Sequence, residues 1–87
     1  MDSIVLYASM LCPDCPPFKN ELDELKVDYR FVNITESIMN LKEFLKIRDN
    51  KEEFKNIKEN GSVGIPCLVV NNEEFIFDIS KLEERFK

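Results

Sequence analysis

Two thiols separated by two residues, Cys12-Pro13-Asp14-Cys15, follow a strand-like run, Ser3-Ile4-Val5-Leu6-Tyr7-Ala8, and precede a helical pattern that opens with Pro16-Pro17-Phe18. In a chain with one other cysteine, this placement reads as a redox dithiol at a helix N-terminus. The spacing lets both sulfurs reach disulfide distance across the first helical turn. Cys12 then lies where unpaired helix N–H groups and the positive end of the helix dipole favour an anion, which makes it the attacking thiolate. Cys15, expected one turn into the helix and less exposed, is placed to attack a mixed disulfide formed at Cys12 and release the reduced substrate. A structural zinc would normally need four Cys or His ligands, and this chain has three Cys and no His, so a carboxylate would have to complete the set. A structural disulfide here would close a very short loop, where cross-linking gains least.

The elements that must hold these thiols alternate along the chain. After the first strand, Phe18, Leu22 and Leu25 recur at helical spacing; Val27, Tyr29, Phe31, Val32 and Ile34 form a second strand-like run. Thr35-Glu36-Ser37 opens a helix with Thr35 or Ser37 as N-cap and a stripe of Ile38, Leu41, Leu45 and Arg48. A further helical piece from Lys51 to Lys58 turns Phe54 and Ile57 inward and stops at Asn60-Gly61. Ile65-Pro66-Cys67-Leu68-Val69-Val70 reads as a strand, Asn71-Asn72 as a tight turn and Glu73 to Phe77 as its hairpin partner. A last helix is signalled by Asp78 or by the box Ser80-x-x-Glu83, with Leu82 and Phe86 as its apolar stripe. The order β-α-β-α-(α)-β-β-α predicts an α/β fold with one mixed sheet flanked by helices. Tyr7, Phe18, Phe31, Phe44 and Phe54 are core aromatics by spacing.

At 87 residues, with 44% hydrophobic and 33% charged residues, the chain is expected to be a single domain, residues 1–87, with one compact site. Asp2 and Ser3 ahead of a short apolar run do not make a signal peptide, and no stretch reaches the length of a membrane span. A cytoplasmic address is therefore expected, and a reducing compartment suits a dithiol that cycles. The net charge of -5, from 12 basic and 17 acidic residues, argues against nucleic acid or an anionic membrane as partner.

Over essentially its whole length the sequence resembles the glutaredoxin family, within the wider thioredoxin-like fold. The likeness rests on the strand followed by Cys12-Pro13-Asp14-Cys15, on Val63-Gly64-Ile65-Pro66 at the head of the third strand, and on Asp78 before the last helix. It implies a four-stranded sheet, a cis peptide before Pro66 beside the dithiol, and a substrate or glutathione site that includes Pro13, Ile65, Pro66 and Asp78. Spacing alone would favour an ordinary trans proline at the first residue of a strand. Met10-Leu11 replace the basic residue common before the dithiol, Glu74-Phe75 replace a Gly-Gly pair, and Phe77 replaces a second acidic residue. The stretch from Ile34 to Gly64 is also longer than in a typical small member. Lys19 or Arg48 would be the substitute cations for a glutathione carboxylate, although both types usually lie in solvent.

Asp14, where the family often has an aromatic residue, places a negative charge beside Cys12 that opposes thiolate formation and makes the pair more reducing. Cys67 directly follows Pro66 and so falls near the dithiol; it reads first as a small buried hydrophobe and second as a third redox or metal-binding sulfur. The expectation is a monomeric thiol-disulfide oxidoreductase acting on protein disulfides or mixed disulfides. It needs no bound cofactor, and its reductant is glutathione as co-substrate or a thioredoxin-reductase-type donor. The alternative, also implied by the resemblance, is an iron-sulfur or metal carrier in which two protomers share a cluster through Cys12 and glutathione. Pro13 speaks against it, because proline-bearing dithiols in the family tend to be redox sites.

Overall fold

The computed structural model describes residues 3–86; Asp2, used above against a signal peptide, lies outside the described residues. Strand β1 (Ile4–Ala8) pairs with β2 (Arg30–Asn33) in parallel and with β3 (Cys67–Val70) antiparallel, and β3 pairs with β4 (Glu74–Ile76) antiparallel. The sheet order β2-β1-β3-β4 puts the two most apolar strands in the centre, where both faces are covered. Helices α1 (Cys15–Glu24), α2 (Ile38–Arg48), α3 (Lys55–Glu59) and α4 (Ile79–Phe86) complete the fold, with a single 3-10 turn at Glu52–Phe54 leading into α3. This is the four-stranded mixed sheet with flanking helices that the sequence predicts. Among the described residues no helix is long and apolar enough to cross a membrane.

Strand alternation divides the core into two layers. Leu6, Ala8, Leu68, Val70 and Ile76 meet Cys15, Phe18 and Leu22 of α1 and Leu82 of α4 on one face. Tyr7, Val32, Cys67 and Val69 meet Phe44 of α2 and Phe54 on the other. The α2 stripe needs a correction at Ile38, which is exposed, whereas Leu41 and Leu45 pack with the fully buried Phe44, a core aromatic as its spacing predicts. Phe54 stacks edge-on against Phe44, Phe75 and Phe77, at centroid distances of 5.9, 5.6 and 5.1 Å. The segment that lengthens this chain and the rings at 75 and 77 are therefore one packing unit, since Phe54 fills its space against the latter two.

Local signals set the ends. Ser37 is the N-cap of α2, its hydroxyl accepting the Asn40 N–H at 3.1 Å. At the end of α1, the Lys26 N–H reaches the Asp23 carbonyl and the Val27 N–H the Leu22 carbonyl, so Lys26 occupies the left-handed position of a Schellman turn at φ 59°. Gly61 takes the same role after α3 at φ 72°. Asn71 and Asn72, at φ 55° and 60°, make the expected tight turn between β3 and β4.

Candidate functional site

The dithiol sits where β1 gives way to α1, in two consecutive turns. The Cys12 N–H donates to the Ser9 carbonyl at 3.1 Å, and the Cys15 N–H to the Cys12 carbonyl at 3.2 Å. Cys15 is the first residue of the helix rather than one turn into it, and Asp14 takes the N-cap position without a side-chain cap bond. Pro16 and Pro17 follow in the first turn, where helical N–H groups have no intrahelical acceptor and proline costs nothing. Phe18 and Leu22, three and seven residues after Cys15, are buried with it and fix the helix on the sheet.

The two thiols have different surroundings. Cys12 is half-buried, Cys15 is fully buried, and their side chains lie within hydrogen-bonding reach of each other. Burial pushes the Cys15 thiol up to about 11. The Ser9 N–H opposes that shift by donating to Cys15 Sγ at 3.5 Å, while Cys12 and the Asp14 charge add to it. The pair is thus unequal, with Cys12 partly accessible to solvent and Cys15 shielded and held in its protonated form by burial.

Ser9 was not singled out by the sequence, yet it is the buried polar residue behind the dithiol. Thr35 donates its hydroxyl proton to Asn33 Oδ1 at 2.8 Å, so in the 2.8 Å contact between Ser9 Oγ and Thr35 Oγ1 the serine is the donor. Ser9 Oγ then accepts the Leu11 N–H at 3.1 Å. This directional chain ties the dithiol turn to the end of β2. A serine after a strand carries no local mark that its partner lies 26 residues away.

Beside the dithiol runs a groove of about 460 Å³ between the start of α1, the segment before β3 and the head of α4. Asp14, Pro17, Ile65, Pro66, Phe77 and Asp78 form most of its wall. The Ile65–Pro66 peptide is cis. Of the four non-cysteine site residues predicted from the sequence, Ile65, Pro66 and Asp78 thus share one groove, while Pro13 stands exposed in the turn before it. Asp78 takes the capping role in front of α4: its Oδ1 accepts the Ser80 N–H at 3.0 Å and the Ser80 hydroxyl at 2.9 Å. These bonds hold its carboxyl below the usual range.

Lys19 and Arg48 do not reach the groove wall. Lys19 pairs with Asp23 at 3.2 Å and lies over the Tyr29 and Phe31 rings. Arg48 donates to the Ser62 carbonyl at 2.8 Å and sits 3.8 Å from Asp49. Cys67 follows Pro66 in sequence but is buried on the opposite face of the sheet, among Tyr7, Phe44 and Phe54. That burial drives its thiol strongly upward. Among the described residues no group of three or more His, Cys, Asp or Glu side chains is placed to hold a metal ion.

A family model described as Glutaredoxin matches residues 4–76. An uncharacterized protein of Haemophilus influenzae is 45% identical over 86 residues, which cover 99% of this chain and 100% of the relative. The crystal structure of a glutaredoxin from Methanosarcina mazei Go1 superposes with a TM-score of 0.69 at 23% identity, covering 97% of this chain and 77% of that one, a likeness of fold.

Proposed function

Because the chain belongs to the glutaredoxin family, a family of thiol-disulfide oxidoreductases, we propose that it reduces disulfides through Cys12 and Cys15. The observation that carries this reading is the unequal pair: a half-buried Cys12 in contact with a fully buried Cys15 whose Sγ receives the Ser9 N–H. The Cys12 thiolate attacks one sulfur of a substrate disulfide; that S–S bond breaks, and the leaving thiolate takes up a proton. Cys15 then loses its proton and attacks the Cys12 sulfur, which releases the second substrate thiol. The chain is left with a Cys12–Cys15 disulfide, and two electrons have passed to the substrate. The protonated state favoured by burial of Cys15 keeps it from competing for the substrate before the mixed disulfide forms.

In this reading Ile65 and Pro66 form the wall along which the substrate lies, Asp78 bounds its far end, and Pro13 keeps the turn between the thiols short. The protein works as a monomer in a reducing cytoplasm, and either glutathione or a thioredoxin-reductase-type donor returns the dithiol to its reduced state.

The test is NADPH-coupled disulfide reduction, run with glutathione plus glutathione reductase and, separately, with thioredoxin reductase. Wild type is expected to turn over with at least one system, and Cys12→Ser with neither. Undiminished turnover in Cys12→Ser, or none in wild type with either system, would refute the assignment.

A further inference from the structure

The electrostatics of the groove select among disulfides. Among the described residues its wall carries two carboxylates, Asp14 and Asp78, on otherwise apolar surface made by Pro17, Ile65, Pro66 and Phe77, and no cation. Lys19 pairs with Asp23 and Arg48 with the Ser62 carbonyl, whereas Lys81, 3.9 Å from Glu84, lines an adjoining groove that shares Phe77 and Asp78, and its charge helps hold the Asp78 carboxyl down. Asp78 keeps its charge, because the Ser80 N–H and hydroxyl stabilise the carboxylate form. Asp14 makes no side-chain cap bond, so its charge is not spent on the helix end. Outside the groove the turn that carries the dithiol is apolar, with Leu11 84% and Met10 42% exposed.

Glutathione brings two carboxylates and one ammonium, a net negative charge, to a wall that is itself negative. A protein segment with a lysine or arginine beside its cysteine and apolar residues around it meets complementary charge and complementary surface. Resting on the oxidoreductase reading above, we propose that the preferred substrate is a cysteine-bearing protein segment that is cationic and apolar next to its disulfide, and not a glutathione disulfide. Asp14 and Asp78 are its specificity-determining residues. The transfer is the exchange already written: the substrate's S–S bond is broken, Cys12–Cys15 is formed, and two substrate thiols leave.

The experiment is single-turnover reduction by pre-reduced protein of three probes. Two are symmetrical peptide disulfides identical except for the residues flanking the cysteine, arginines in one and glutamates in the other; the third is oxidised glutathione. Each rate is divided by that of the neutral reductant dithiothreitol on the same probe, which removes intrinsic differences in disulfide reactivity. At low ionic strength the arginine peptide is expected to react about tenfold faster than either anionic probe on this corrected scale, with the ratio falling as salt is added. Asp14→Asn and Asp78→Asn should each lower the ratio severalfold; asparagine remains a good N-cap, so α4 keeps its start. A corrected ratio near one, a ratio insensitive to salt, or glutathione as the fastest probe would overturn this proposal and leave the oxidoreductase reading standing. Failure of wild type to reduce any of the three would overturn both.

Discussion

Alkaline pH should weaken the reduced protein through Cys15 by an amount the structure sets. The thiol is fully buried, and its value rises from an ordinary 9.0 to about 11. Between those two values the unfolded chain has released this proton and the folded chain has kept it, so the folded state binds more protons and stability falls as pH rises. Below the unfolded value the contribution is fully present; above the folded value it is gone. Two units correspond to roughly 3 kcal/mol, most of it lost by about pH 11. Cys67 and Tyr7 are also shifted upward, chiefly by burial, and act in the same sense, so the steepness of wild type alone does not isolate Cys15. The comparison that does is urea unfolding, under a non-thiol reductant, of wild type and Cys15→Ala from about pH 8 to about pH 11. Wild type starts ahead, because the alanine leaves a void next to Phe18 and Leu22. Its lead should shrink by roughly 2 to 3 kcal/mol over that range. Two stability curves that stay parallel would refute the reasoning: Cys15 would then titrate alike in both states, and its burial would not govern its protonation.

Three further outcomes follow from particular contacts. Gly64 sits at φ 105° with the Phe54 ring 3.1 Å from where a Cβ would be, so Gly64→Ala should cost about 2 to 4 kcal/mol in chemical denaturation. Lys26 holds a left-handed C-cap at φ 59°, and Lys26→Gly should raise stability by about 0.5 to 1 kcal/mol in the same assay. Asp14→Asn removes a negative charge from the turn between the thiols; equilibration with a redox buffer should show a potential less reducing by roughly 10 to 30 mV, and iodoacetamide should alkylate Cys12 faster.

The strand, dithiol and proline-led helix were legible because each is a local signal: β-branched alternation, a fixed cysteine spacing, and prolines where N–H groups are unneeded. Asn71-Asn72 and Asn60-Gly61 were legible for the same reason, since positive φ selects those residues. The interior of α2 was misjudged at Ile38 because helical spacing names a stripe but not where the sheet beneath it ends. Ser9 escaped notice because its hydroxyl finds Thr35 only after β1 and β2 pair. The gathering of Ile65, Pro66 and Asp78 beside the dithiol was legible only through the family likeness; no spacing within the chain brings residues 14, 66 and 78 together, and the sheet order β2-β1-β3-β4 does so.

Three cysteines allow three intramolecular disulfides. Cys67 lies beneath β3 among the rings of Tyr7, Phe44 and Phe54, whereas Cys12 and Cys15 pack on the other face of the sheet. Any bond to Cys67 would have to cross a hydrogen-bonded sheet whose strands at that point are completely buried. The fold thus leaves a single pairing, Cys12 with Cys15, accessible to its own thiols, and the chain is insulated from isomerising a disulfide formed there.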